Sequence, residues 1–119
     1  MERIGIGLIG MPRILREVIT TIVADQPDME IVGEVPEDAD PAEVDALGAS
    51  FITVGLDRSG ALPPTAGRLL ADRTAVPMLG LSAEGRIGYL YELRPHRQPI
   101  GEVSPEVLLS TIRSSVRAT

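Results

Sequence analysis

The stretch that decides the fold is "RIGIGLIGMPR", residues 3–13, in which Gly5, Gly7 and Gly10 stand at the spacing G-x-G-x-x-G. A dinucleotide-binding loop with this spacing puts its first glycine after a strand of about five residues, so that backbone amides meet a pyrophosphate at the helix N-terminus. Here Gly5 has four residues before it, and the apolar run continues through Ile6, Leu8 and Ile9. Only Gly10 falls at the strand-to-helix junction. Met11, Pro12 and Arg13 follow it, so the glycine that permits close backbone approach is missing and Pro12 removes an amide donor. Glu34, at the end of the next strand, is the one feature that suits a ribose-binding acid. Residues 3–9 therefore read as a buried strand whose glycines serve tight packing.

Working outward, Pro12 suits the first position of a helix whose apolar stripe is Ile14, Leu15, Val18, Ile19, Ile22 and Val23, with Arg16, Glu17, Thr20 and Thr21 facing elsewhere. "MEIVGEV", 29–35, is a second strand. In "PEDADPAEVDAL", Asp40 as N-cap, Pro41 as first residue and Glu43 reaching back form a capping box for a short helix. "SFITVGL", 50–56, is a third strand, "DRSG" its turn, and Pro63 or Pro64 starts a helix to about Arg73. "AVPMLGLS", 75–82, is a fourth strand. This alternation with short links predicts a parallel sheet covered by helices. After it the pattern breaks: "SAEGR" is a tight turn, "IGYLYEL", 87–93, alternates as a β-hairpin strand, and "RPHRQP" is a loop. Ser104 caps a final helix that starts at Pro105 and buries Leu108, Leu109, Ile112 and Val116.

A chain of 119 residues supports one domain, 1–119, with a full core. It has no cysteine and one histidine, His96, which excludes disulfides, iron–sulfur clusters and thiolate zinc sites. The net charge of −6 opposes nucleic-acid binding, and the three aromatics (Phe51, Tyr89 and Tyr91) offer few stacking platforms. No leader pattern or membrane-length apolar run is read, so the expected location is the cytoplasm. Asp28, Glu30, Glu34, Glu37, Asp38, Asp40, Glu43 and Asp45 form an acidic run with no intervening basic residue. Such a run is a solvated face or a docking surface for a basic partner. Every one of the 11 basic residues is Arg; without lysine a phosphate loop of the G-x-x-x-x-G-K type cannot be built.

"MPRILREVITTIVADQPDMEIVGEV" and "GEVSPEVLLSTIR" resemble the first helix and second strand, and the final helix, of receiver domains of two-component response regulators attached to LuxR-type transcription factors. The resemblance covers residues 3–82 and 100–117 and implies a three-layer, flavodoxin-like α/β sandwich with a mainly parallel sheet. A β-hairpin then replaces the region of the fourth helix. It also implies a phosphorylation site: two acids after strand one, an aspartate ending strand three, a hydroxyl after strand four and a lysine after strand five. Those positions fall on Ile9 and Gly10, on Gly55 (or Asp57 if the loop slips by two), on Ser82 and near Gly101. The hydroxyl alone matches. With so few carboxylates a divalent cation lacks oxygen ligands, and a transferred phosphoryl group lacks its neutralising cation.

The expected function is thus a non-catalytic, phosphorylation-independent receiver-like module acting through protein–protein contacts, as a homodimer or regulatory subunit, without metal or cofactor. The alternative is a small-molecule or nucleotide site at the carboxyl edge of the sheet, using Gly10, Gly55, Asp57, Arg58 and Ser82. An enzyme built on His96 or Asp57 lacks a base, nucleophile and orienting group in one place. Ordinary turn chemistry also accounts for Asp57 and Ser59. Arg86, Arg94, His96 and Arg97 form a candidate anion or partner patch, which in a neighbouring copy would meet the acidic segment 28–45 head to tail. Tyr89 and Tyr91, on one face of their strand, are either core or a partner-facing stripe.

Overall fold

A computed structural model describes residues 3–71, 76–82, 87–91 and 97–117. Its elements are β1 (Ile4–Ile9), α1 (Arg13–Ala24), β2 (Met29–Val35), α2 (Pro41–Asp45), β3 (Phe51–Gly55), α3 (Pro64–Ala71), β4 (Met78–Leu81), β5 (Ile87–Tyr91), β6 (Arg97–Glu102) and α4 (Pro105–Arg117). They build one six-stranded sheet in the order β2-β1-β3-β4-β5-β6. The first four strands pair parallel, and β5 and β6 add antiparallel. Because both faces of the parallel strands are covered, β1 and β3 are apolar in both directions. Ile6, Leu8 and Phe51 enter a core closed by Ile19 and Val23 of α1 and by Leu108 and Ile112 of α4. Ile9, Ile52 and Val54 enter a second core under Val44 of α2 and Ala66 and Leu69 of α3. The architecture is the α/β three-layer sandwich.

The packing role of the β1 glycines is visible at Gly7, where a Cβ would stand 3.3 Å from both Leu47 Cδ1 and Ala49 Cβ. The α2–β3 connection lies directly on the strand. Local chemistry sets the helix starts. Asp40 accepts from Ala42 N at 2.9 Å while Glu43 Oε2 accepts from Asp40 N at 2.9 Å, and Ser104 Oγ accepts from Val107 N at 3.2 Å. Pro12 is the N-cap of α1 rather than its first residue: its φ of −57° and ψ of 146° are extended, and its carbonyl accepts from Arg16 N.

Three other expectations change. The buried stripe of α1 is narrower than its apolar residues suggest: Leu15, Ile19 and Val23 are buried, whereas Ile14 and Val18 face solvent, because only one side of the helix meets the sheet. β4 begins at Met78, with Pro77 ahead of it offering its carbonyl to Ile52 N. Residues Arg97, Gln98 and Pro99, expected in a loop, open β6, which ends the strand order among the described residues; a proline is tolerated on such an edge strand. The hairpin therefore extends into a β4–β5–β6 meander. Residues 72–75, 83–86 and 92–96 lie outside the described residues, and with them the expected helix end at Arg73 and the strand end at Leu93.

Candidate functional site

The carboxyl ends of β1 and β3 flank the switch point of the strand order, where open α/β sheets hold ligands. In this chain the crevice is occupied by backbone. Gly10 turns the chain from β1 with φ +55° and donates its N–H to Val35 O at 3.0 Å. Its carbonyl then lies against Gly55: a Cβ on Gly55 would stand 2.5 Å from Gly10 O and 3.1 Å from Pro12 Cδ. On the other side the chain after β2 presses down, since a Cβ on Gly10 would stand 2.9 Å from Glu37 Cβ. That segment is tied to α3 by Thr65, fully buried, whose N–H donates to Glu37 O at 3.3 Å and whose hydroxyl donates to Ala39 O. A strap of residues 36–39 and the Gly10–Pro12 loop thus close over the end of β3.

Asp57, the slipped candidate for the acceptor, is committed to its own turn. Its Oδ1 accepts from Ser59 Oγ at 2.6 Å, Ser59 N at 2.8 Å and Ala61 N at 2.9 Å. The Ser59 hydroxyl first, and the Ala61 amide next, hold its carboxyl below the ordinary aspartate value. Arg58 is exposed on that turn, and Ser82 is half-buried just after β4. Gly10 and Gly55 are brought into contact, while Asp57 and Arg58 are exposed on the turn that follows β3. Among the described residues no three His, Asp or Glu side chains converge as a cation site.

A cavity of about 300 Å³ lies instead beside β1 and β2, lined by Gly10, Met11, Arg16, Glu34, Val35 and Pro36. Arg16 Nη1 donates to Glu34 Oε1 across it at 3.0 Å. Glu34 was legible as an acid ending β2. Arg16 was not, because its helix position gives no sign that the side chain reaches across to the neighbouring strand. Other members of the acidic run are also engaged: Asp28 accepts a fork from Arg113 at 3.0 Å on each oxygen, and Glu30 lies 3.6 Å from Arg3.

The proposed partner surface is placed in part. Tyr91 is buried in the second core, which leaves it as a packing residue rather than a docking one, and Tyr89 packs half-buried beside it. Arg97 opens β6, while Arg86, Arg94 and His96 lie outside the described residues.

The chain matches no protein-family model, and no curated protein matches it. Among solved structures it superposes on the response regulator domain of Thermotoga maritima CheB with a TM-score of 0.63, at 18% identity, over 98% of each chain. The fold is that of a receiver domain. Within that receiver fold the antiparallel β5–β6 pair is the feature that departs from alternating strands and helices. Among the described residues no helix is long and apolar enough to cross a membrane.

Proposed function

We propose that this chain is a degenerate receiver: a non-catalytic cytoplasmic regulatory module that works through protein–protein contacts, self-association included, without aspartyl phosphorylation. The carrying observation is the carbonyl of Gly10 against Gly55, which fills the space an acceptor side chain ending β3 would need. Asp57 is a poor substitute, since three hydrogen bonds tie one of its oxygens into the turn and lower its basicity. The absence of lysine supports the same reading, because no ammonium group is available to hold a phosphoryl oxygen. The stretches 11–35 and 101–113 carry its resemblance to LuxR-type receivers.

The test is incubation of the full chain with magnesium and acetyl phosphate, and separately with beryllofluoride. Intact mass and amide NMR spectra should stay unchanged. An acyl phosphate on Asp57, or shifts centred on Gly10, Gly55 and Ser82, would overturn the proposal.

A second reading, small-molecule binding, has one observation in its favour: the cavity between Gly10 and Pro36 with the Arg16–Glu34 pair across it. Its volume is at the low end for ligand pockets. A thermal-shift panel of nucleotides and small anions decides it, since a ligand that binds the folded chain raises the melting temperature.

A further inference from the structure

Next to the closed crevice, the cavity of about 300 Å³ beside β1 and β2 stays open. It sits at the carboxyl ends of those two strands, the edge at which open α/β sheets receive ligands. Met11, Val35 and Pro36 give it an apolar wall, and Arg16 and Glu34 a charged one. The surrounding backbone is held before anything binds. Gly10 N–H is bonded to Val35 O at 3.0 Å, and Thr65 ties the 36–39 strap to α3 through Glu37 O and Ala39 O.

The charged wall has bonding capacity left over. A single hydrogen bond joins it, Arg16 Nη1 to Glu34 Oε1 at 3.0 Å. An arginine and a carboxylate can make two in parallel, as Arg113 and Asp28 do. Glu34 Oε2 and the Nε and Nη2 groups of Arg16 therefore have no protein partner among the described residues. The two side chains are 39% and 47% exposed, so the pair adds little stability by itself and its unused atoms are within reach of a ligand.

Resting on the small-molecule reading of this cavity, we propose that it binds a free α-amino acid with an apolar side chain. Charge disfavours simpler ligands. An anion drawn to Arg16 meets the Glu34 carboxylate and the −6 charge of the chain, and a cation drawn to Glu34 meets the Arg16 guanidinium. A zwitterion satisfies both: its carboxylate accepts from the Arg16 N–H groups and its ammonium donates to Glu34 Oε2. Spacing selects the α-amino acid, in which a single carbon joins the two charged groups, because the wall charges stand only 3.0 Å apart. An ω-amino acid must coil to bring both ends to the pair, at a cost in entropy. Volume and lining select the side chain. About 300 Å³ equals roughly ten waters at about 30 Å³ each, room for a ligand the size of leucine with its apolar end against Met11, Val35 and Pro36.

The test is an amide NMR titration of the full chain with L-leucine to about 10 mM, a range set by the weak binding expected of so small a ligand. Leucine should shift Gly10, Met11, Arg16, Glu34 and Val35 together and to saturation. Leucinamide, which lacks the carboxylate, and 4-methylpentanoate, which lacks the ammonium, should each bind at least tenfold more weakly, and so should 6-aminohexanoate. Arg16→Gln and Glu34→Gln should each weaken leucine binding at least tenfold with circular dichroism unchanged, because neither side chain is buried. If leucine shifts nothing while a nucleotide or small anion moves the same amides, the ligand class is overturned and the small-molecule reading stands. If none of these compounds moves them, both are overturned. Leucine binding that an analogue matches, or that survives either substitution, overturns the zwitterion contacts.

Discussion

Gly55→Ala is the sharpest probe of the closed crevice. The substitution adds one methyl group, and its carbon would stand 2.5 Å from Gly10 O, 3.1 Å from Pro12 Cδ and 3.3 Å from Gly10 C. An ordinary C···O approach is about 3.3 Å or more, so the loop must retreat by roughly 0.8 Å. Retreat is blocked on the far side: Glu37 packs on Gly10, the Gly10 N–H is bonded to Val35 O, and Thr65 holds the strap. The obstruction is backbone, which cannot rotate away as a side chain does. Overpacking of this kind costs about 1–3 kcal/mol, and two backbone contacts place the expected loss near the upper end, about 2–3 kcal/mol. For a domain of this size that lowers the melting temperature by roughly 10 °C. Urea unfolding followed by circular dichroism measures it, with an unchanged m-value as the sign that only the native state is affected. A loss under about 0.5 kcal/mol would mean that the loop moves freely and the crevice is not closed by packing.

Three further outcomes are expected. Thr53 is fully buried in β3, and its hydroxyl has no partner among the described residues; Thr53→Val should raise stability by about 1 kcal/mol in the same assay, and a loss would reveal a partner for that hydroxyl. At Gly67, inside α3, a Cβ would meet nothing within 4 Å among the described residues, so Gly67→Ala should stabilise by about 0.5–1 kcal/mol through helix propensity, seen as a higher denaturation midpoint. Asp57 has its carboxyl pKa depressed by Ser59 and Ala61, so its contribution to the 57–61 turn is present above the unfolded aspartate value and is lost as pH falls through the lower folded value. Carbon-13 titration should place its midpoint below that of aspartate in an unstructured peptide, and Ser59→Ala should raise it.

The local signals in this chain were strong where one segment contains its own explanation. The capping box of Asp40 and Glu43, the Ser104 cap and the span of β2 can be read directly because the partners lie within a few residues of each other. The receiver-like layering follows from strands apolar on both faces alternating with one-sided helices. The candidate site was harder. The lack of lysine was readable from residue types, but the closure of the crevice depends on Gly10, Glu37, Gly55 and Thr65, which meet only after β1, β2, β3 and α3 have assembled.

Sequence by itself determined an α/β layer fold and a chain without lysine, because periodicity and residue type are properties of the chain. Tertiary structure alone decided that β6 exists, that Ile14 and Val18 face outward, and that Gly10 stands in the crevice. Periodicity shows which residues can share a face, but only the packed neighbours settle which face is covered. The β6 segment, with its proline and glycine, draws its order from hydrogen bonds to β5 rather than from its own propensity.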